Sequence, residues 1–436
     1  MKKRLATLLA LALGLAAARA WATPAPQTTQ DVRQLTLEEA LARAKQRNWT
    51  LAAEKARLTQ AQTQISAAWA LLLPNIAVQG KYTRNYAEVE FPSQMGNLLI
   101  QPINQLDGVI SFQAPLIVPA AYPGLKAVEA NVAASGASYE TSEDNVLFSV
   151  AQTFYAAAVS DQVLVARQSN IDVAKATLGN AQTRLAAGTV TKVDVDRAEL
   201  ALVRNQQLFL EARHGRDQSY RALRTLIGAQ QEAFVVVVPE TPPAPPAEKD
   251  DLPTVLQLRP EFKGLELSAK AADLNRITDG LKWSPSISAF GNARRFNYQN
   301  FHFDNYSWAV GVQLDWILYD GGARDAQRHT AAAQLSESNA RAQALSENIA
   351  DDLANGRSLF ATKQSALQAA TRAVTLATET LDLVRTQYEA GTVTQVDLLQ
   401  AQDYLVGAQE ALAQARFDLA VADLSFRRAS GTFPPR

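Results

Sequence analysis

Apolar residues recur at every seventh position along two long stretches of the chain, and the second stretch repeats the first 203 residues later. A seven-residue repeat stays on one side of a helix only if the helices supercoil. The pattern therefore predicts two long, extended coiled-coil hairpins. Their rising arms carry the repeat at Val150, Ala157, Leu164, Ile171, Leu178 and Leu185 in the first half, and at Leu353, Phe360, Leu367, Val374, Leu381 and Tyr388 in the second.

The turn of each predicted hairpin carries the same five-residue motif. Residues 187–191 and 390–394 both read Ala-Gly-Thr-Val-Thr. Gly188 and Gly391 fit the left-handed position that ends a helix, and a following threonine fits the cap of the returning helix. A well-formed helical corner with no further role explains the motif equally well on these residues alone. The repeat nevertheless divides the chain into two equivalent halves.

Ahead of each helical hairpin the pattern changes to alternation of apolar with small or polar residues, which predicts strands with one apolar face. Such strands begin after Pro74 and Pro285. We expect one β-hairpin in each half, at about 75–117 and 284–318, the first with a long loop over 87–107 and the second with a tight turn near 300–305. The apolar positions that define the second strand of each hairpin are Gly108, Ile110, Phe112, Ala114 and Leu116, and Trp308, Val310, Val312, Leu314, Trp316 and Leu318.

Each half also opens with a predicted helix, over 37–72 and over 255–283. Thr36 with Glu39 forms a capping-box pattern at the start of the first. A Pro-rich stretch between the halves predicts an extended connector. The expected organisation is a first repeat over 23–229 with its tip near 188, a connector over 230–252, and a second repeat over 253–436 with its tip near 391.

The N-terminal residues follow the pattern of a secretory signal peptide. Residues 1–4 are basic at three of four positions, 5–18 are apolar, and small residues two apart at 18–20 or 20–22 suit cleavage. The apolar run is shorter than the ~20 residues of a membrane-spanning helix, so a signal peptide over 1–22 is favoured over an anchor. Its removal leaves 38 basic groups against 43 acidic ones, a net charge of −5.

Composition excludes several classes of function. The chain has 42 basic and 43 acidic residues, which provides no basic field for nucleic acid. It has no cysteine and three histidines, His214, His302 and His329, whose spacing gathers them into no cluster. We therefore expect no catalytic centre, no cofactor and no metal site, and a protein that is not an enzyme.

The strands leave two hypotheses open. Beyond the signal peptide no segment reaches 18 consecutive apolar residues, so a membrane could be crossed only by strands. Four strands cannot close a barrel, and open edges are not tolerated in lipid, so several chains would have to share one barrel. A soluble four-stranded sheet packed against a helix explains the same strands at least as well.

Several short segments together resemble the outer-membrane efflux protein (TolC-like) family over essentially the whole mature chain. Leu-Thr-Leu-Glu-Glu-Ala-Leu at 35–41 with Arg-Asn at 47–48 is similar to the family's opening helix. Arg-Pro-Glu at 259–261 is similar to the start of its second repeat. The remaining matches, which resemble passages between helices and strands, lie at 72–75, 283–286 and 316–322.

The resemblance implies an α+β membrane protein built from two internal repeats. It implies a homotrimer in which four strands per chain form a twelve-stranded barrel in outer-membrane lipid, continued into the periplasm by an α-helical coiled-coil barrel. The implied function is a passive exit duct of a tripartite efflux pump for small molecules, with a periplasmic adaptor protein and an inner-membrane transporter of the RND, ABC or MFS type. The alternatives are the channel of a type I protein secretion system and, more distantly, a soluble periplasmic coiled-coil adaptor.

The resemblance also implies a docking site for the adaptor at the hairpin tips. Leu185, Val190, Tyr388 and Val393 would pack tip to tip with the adaptor. In some relatives an arginine latches the tip at the position that Val393 occupies here, and the lipidated N-terminal cysteine of many relatives has no counterpart. The expected docking residues are Arg184, Leu185, Gly188, Thr189, Val190 and Thr191 on the first tip, and Tyr388, Gly391, Thr392, Val393 and Thr394 on the second.

A periplasmic gate is implied just after the second tip. Asp397 matches a carboxylate that rings the closed aperture in the family, Gln400 stands where a second acid is often found, and Asp194 is the equivalent residue of the first half. Three copies of Asp397 around one axis would repel anions and attract cations. A carboxylate favoured by the helix dipole in the first turn explains both aspartates without a gate.

Overall fold

The computed structural model describes residues 33–93, 96–238, 251–298 and 304–434. The predicted signal peptide at 1–22 lies outside the described residues, as do residues 239–250 of the predicted connector and 300–303 of the predicted tight turn. The described residues form eight helices and eight strands. In chain order these are β1 Arg33–Leu35, α1 Leu37–Arg47, α2 Trp49–Ala70, β2 Asn75–Arg84, β3 Val89–Ser93, β4 Gly96–Gln101, β5 Asn104–Ile117, α3 Ala121–Ala186, α4 Lys192–Leu226, β6 Phe234–Val236, α5 Leu252–Leu258, α6 Pro260–Leu281, β7 Ser286–Phe296, β8 Tyr306–Asp315, α7 Ala323–Glu389 and α8 Gln395–Ala429.

Two long helical hairpins dominate the fold. The rising helices α3 and α7 have 66 and 67 residues, about 100 Å each at ~1.5 Å per residue, and the returning helices α4 and α8 have 35 residues each. The rising arm of the first hairpin starts at Ala121. Pro123 does not prevent this, because amide groups in the first turn have no partner within the helix.

The main core covers one side of α3 near the middle of its length. Leu147, Val150 and Phe154 are fully buried there against side chains of α1, α4 and the short parallel pair of β1 with β6. A smaller core joins α5 to α7 and α8 around Ile349 and Phe426. Both cores lie at the level where the returning helices end, so they fix the position of the hairpins relative to the shorter helices.

The predicted continuous helix over 37–72 is wrong, because the backbone breaks at Asn48. Asn48 has ψ 124°, which ends α1, and its Oδ1 caps α2 by accepting from the Thr50 amide at 2.8 Å. Its Nδ2 donates to the carbonyl oxygen of Leu226 at 2.8 Å, at the end of α4. The break therefore lets a buried amide hold the end of the returning helix of the first repeat.

The predicted continuous helix over 255–283 is wrong in the same way, and the break falls at Arg259. This residue precedes Pro260, whose ring disfavours helical geometry at the preceding position, and Arg259 has ψ 114°. Its Nη1 donates to the carbonyl oxygens of Arg428 at 3.2 Å and Ala429 at 3.0 Å, at the end of α8. An ion pair with Glu261 orients the buried guanidinium.

Two glycines allow the close approach at these breaks. Gly228 and Gly431 have φ of 65° and 74°. A Cβ atom on Gly228 would lie 2.8 Å from the Cβ of Arg47, and one on Gly431 would lie 2.7 Å from the Cβ of Leu258. The same backbone geometry therefore holds the end of the returning helix in both repeats, with Asn48 as the polar partner in the first and Arg259 in the second.

The strands before the hairpins form one antiparallel sheet in the order β2-β5-β7-β8. The register brings the predicted apolar positions to a single face, with Val78 opposite Ile110 and Ala293 opposite Trp308. The other face carries mostly small and polar residues, including Ser111 opposite Asn292. This confirms the predicted alternation. Within the described ranges, β2 and β8 each pair with one strand only, so both are sheet edges.

One end of the sheet carries the helices and the other carries the turns. The predicted loop over 87–107 is wrong as a loop, because it contains the separate antiparallel pair of β3 and β4, and β5 already begins at Asn104. Asn85 holds this pair to the sheet, because its backbone amide donates to the carbonyl of Ile103 at 2.8 Å. No helix in the described parts of the chain is long and apolar enough to cross a membrane.

Candidate functional site at the hairpin tips

Both helical hairpins turn through the same backbone geometry. Gly188 and Gly391 have φ of 74° and 75°, the left-handed conformation that glycine adopts without steric cost. After them, the Thr189 amide donates to the carbonyl of Arg184 at 2.9 Å, and the Thr392 amide donates to that of Gln387 at 3.0 Å. These bonds satisfy the last carbonyls of α3 and α7. The turn glycines predicted from the sequence are confirmed.

The returning helices start with capping boxes. In the first tip the Thr191 amide and hydroxyl donate to Asp194 Oδ2 at 2.9 and 2.7 Å. In the second tip the Thr394 amide and hydroxyl donate to Asp397 Oδ2 at 2.9 and 2.6 Å. The aspartates therefore serve their own helix starts, as the dipole explanation of these residues requires.

The two aspartates differ in their electrostatic surroundings. The backbone hydrogen bond from Thr191 lowers the pKa of Asp194, and the hydroxyl hydrogen bond from Thr394 lowers the pKa of Asp397. Arg197 lies 3.8 Å from the Asp194 carboxylate. Among the described residues no basic side chain is within ion-pair distance of Asp397. The second tip thus presents an ionised carboxylate that has no countercharge among the described side chains.

Gln400 follows Asp397 by one turn on the same helix. Its side chain is exposed, and its Nε2 donates to the hydroxyl of Tyr404 at 2.8 Å. Tyr404 is itself exposed. The predicted gate residues of the second half therefore lie along one accessible strip at the start of α8, whereas Asp194 lies on the first tip.

A contact between the two tips involves Arg184 and Tyr388. The guanidinium of Arg184 lies 4.6 Å from the centre of the Tyr388 ring. Its Nη1 donates to the Tyr388 carbonyl at 3.3 Å and its Nη2 to the Glu389 carbonyl at 3.5 Å. A cation at the end of α7 also suits the negative end of the helix dipole. The family resemblance implied that both are docking residues, but it gave no signal that they touch each other.

The apolar side chains predicted to pack against a partner are accessible at the tips. Leu185 is 37% exposed, and Val190, Tyr388 and Val393 are partly exposed. Sequence reasoning missed Gln395, the first residue of α8, which is buried although it adjoins the tip. Neither polar atom of its side chain has a hydrogen-bond partner. Its burial follows from packing between helices, for which the heptad pattern gives no signal.

Metal chemistry finds no support in the described part of the chain, where no group of three histidine, cysteine, aspartate or glutamate side chains could hold an ion. His214 lies on α4 and His329 on α7, and His302 lies outside the described residues.

The structure joins a sheet with one apolar face to two helical hairpins, whose rising helices are about 100 Å long and whose tips are in contact. The family described as "Outer membrane efflux protein" matches residues 40–229 and 252–432. The chain belongs to this family. The predicted family, α+β fold and outer-membrane location reaching into the periplasm are thereby confirmed.

Individual relatives agree with this assignment. The chain is 23% identical to the outer membrane protein TolC of Vibrio cholerae over 450 residues, covering 99% of this chain and 96% of that protein. It is 24% identical to the alkaline protease secretion protein AprF of Pseudomonas aeruginosa, covering 81% and 75%. Among solved structures, the outer membrane protein VceC of Vibrio cholerae superposes with a TM-score of 0.75 at 18% identity, covering 91% of this chain and 96% of that one.

Proposed function

We propose that three copies of this chain form the outer-membrane exit duct of a tripartite efflux pump for small molecules. In this proposal the four-stranded sheets close into one barrel in the lipid, and the helical hairpins continue the duct through the periplasm. Transport is passive, because the chain has no nucleotide-binding motif, and an inner-membrane transporter supplies the energy.

One observation carries the proposal: the sheet has a continuous apolar face and two edges. On the edge strands the exposed fractions reach 77% at Val78 and 73% at Val310. Such a face suits lipid, but unpaired edges do not, because backbone groups in lipid must find partners. Pairing β8 of one copy with β2 of the next satisfies both edges at once.

The test is the mass of the protein extracted from outer membranes in mild detergent. A particle with three times the mass of one chain, which falls to the mass of one chain on boiling, supports the proposal. Loss of the strand signal in circular dichroism should accompany the boiling step. A single chain or a pair before boiling refutes the shared barrel.

We further propose that the hairpin tips dock a periplasmic adaptor. The exposed residue Leu185 and the partly exposed residues Val190 and Val393 supply apolar contact, and the turns around Gly188 and Gly391 present backbone with no bulky side chain. A single cysteine at Thr189, in a chain that has none, can be crosslinked to a co-expressed adaptor. A cysteine at Glu88, at the far end of the sheet, is the matched control. Equal crosslinking at both positions argues against docking at the tips.

Asp397 is proposed as the charged residue of the periplasmic gate. Its carboxylate has no countercharge among the described side chains, whereas Asp194 faces Arg197. Three such carboxylates around one axis favour cations and repel one another, so their separation on opening is favourable. Gln400 would add polarity to the same strip without adding charge.

Protein secretion is the second candidate, and the similarity to AprF, a protein named for alkaline protease secretion, favours it. The two functions can be distinguished by identifying the inner-membrane transporter that co-purifies with this chain. Transporters for small molecules and for proteins differ in mass and substrate. The soluble adaptor considered from the sequence does not agree with membership of an outer-membrane family. The class of transporter, RND, ABC or MFS, is read from the same co-purification.

A further inference from the structure

The polar face of the sheet changes character toward the end that carries the turns. In its middle, Ala77, Ser111 and Ala309 form one row with Asn292, and Phe290 lies opposite Gly311 in the next row. At the turn end the same face carries Arg294 and Phe296 on β7, with Gln105 and Asp107 on β5. Tyr298, two residues beyond the end of β7, also contacts this face. A group of large polar and aromatic side chains therefore lies at the end of this face away from the helices.

These bulky residues are tied together by hydrogen bonds. Asp107 accepts from Gln105 Nε2 at 2.7 Å and from the Tyr298 hydroxyl at 3.2 Å, and Arg294 lies 3.9 Å from the same carboxylate. The rings of Phe296 and Tyr298 stack with their centres 4.6 Å apart. The Asp107 side chain is only 8% exposed. A buried carboxylate held by several partners fixes the aromatic pair in place.

The cluster is also joined to the outer loop, which is the segment 85–103 that contains the β3–β4 pair. Asn85, which holds the β3–β4 pair to the sheet, donates from Nδ2 to the carbonyl of Pro102 at 2.8 Å and to Gln105 Oε1 at 3.2 Å. Gln105 in turn donates to Asp107. Residues from two strands and two connecting segments therefore form one polar network, and a rigid position for Tyr298 follows.

We infer that Gln105, Asp107, Arg294, Phe296 and Tyr298 form a constriction at the extracellular mouth of the duct, where they limit the size of what passes. The inference rests on the proposed function, because only closure of the sheet into a barrel turns its polar face into a lumen. The helices lie in the periplasm, so the turn end is the extracellular end. Three copies of the cluster then surround the exit.

The chain's lack of cysteine permits a direct test on intact cells. Ser111→Cys places one thiol on the polar face, on the periplasmic side of the cluster. Its labelling rate from outside is measured with a small methanethiosulfonate and with a bulky polyethylene-glycol maleimide. Tyr298→Ala should raise the rate for the bulky reagent several-fold and leave that for the small reagent nearly unchanged. Tyr298→Phe, which keeps the stacked ring, should raise it less.

Tyr306→Ala is the matched control, because Tyr306 lies near the same end of the sheet on the opposite, apolar face. Glu88→Cys, on the outer loop, reports reagent access without passage of the mouth. An unchanged bulky rate in Tyr298→Ala, with three chains still present in the extract, overturns the constriction and leaves the duct intact. Extraction as a single chain overturns the proposed function and the constriction together.

Discussion

The guanidinium of Arg184 at the first tip lies over the ring of Tyr388 at the second, 4.6 Å from its centre, and donates to the last carbonyls of α7. The two hairpins of one chain are thereby joined at their free ends. We therefore propose that Arg184, on the first hairpin, holds the two tips together.

Removal of this contact should loosen the tips. Arg184→Ala and Tyr388→Ala should each raise single-channel conductance. The double variant should add little to Arg184→Ala, because Tyr388→Ala removes only the ring contact, worth about 1 kcal/mol, that Arg184→Ala also removes. Arg385→Ala is the control, since Arg385 is exposed on α7, the helix of Tyr388, and contacts Glu389 at 3.5 Å. Conductance changes that simply add in the double variant would contradict a shared latch.

The turn glycine of the second tip should resist substitution for backbone reasons alone. A Cβ on Gly391 meets nothing within 4 Å, so the cost of Gly391→Ala is the left-handed conformation, about 1 kcal/mol. Gly391→Asn should cost less, because asparagine tolerates this conformation. Thermal unfolding followed by helical circular dichroism gives the order. Alanine at least as stable as asparagine would refute the explanation.

The charge of Asp397 should control ion preference at the tip. Asp397→Asn should reduce the preference for cations, whereas Asp194→Asn, beside Arg197, should change it less. The Thr394 hydrogen bond lowers the pKa of Asp397 below its ordinary value of 3.8. The cation preference of the wild type should therefore persist as the pH falls to 3.8, and should be lost only at lower pH. The capping contribution to stability should be lost over the same range. Reversal potentials measured against pH provide the check. A loss of cation preference near neutral pH would show that the carboxylate of Asp397 is not its source.

Arg259, at the break between α5 and α6, should be more important for stability than Arg276 on α6. Arg259→Met leaves the Glu261 carboxylate and the carbonyls at the end of α8 without their donor, and we expect a loss of about 3 kcal/mol. Arg276→Met on α6 removes only an exposed pair with Asp273 and should cost well under ~1 kcal/mol. Urea denaturation compares them, and similar losses would show that the buried contacts of Arg259 contribute little.

Patterns repeated over many residues predicted most of the fold. The seven-residue repeat located both helical hairpins, and the two-residue alternation located the apolar face of the sheet, because each period determines which side chains share a face. The breaks at Asn48 and Arg259 were missed because flanking residues continue a helical pattern, although Pro260 was an available signal. The contact of Arg184 with Tyr388 joins residues 204 positions apart, so it depends on packing between repeats.

The claim that the sheets of separate chains close one barrel is tested most directly at the seam between β8 and β2. Gln79→Cys on β2 is combined in turn with Ala309→Cys and Gly311→Cys on β8, all on the polar face. Oxidation in native membranes should give covalent dimers and trimers, with no larger species, for one of these combinations. Denaturing gels that show only single chains for both combinations, or a ladder extending beyond three, would contradict a closed trimeric barrel.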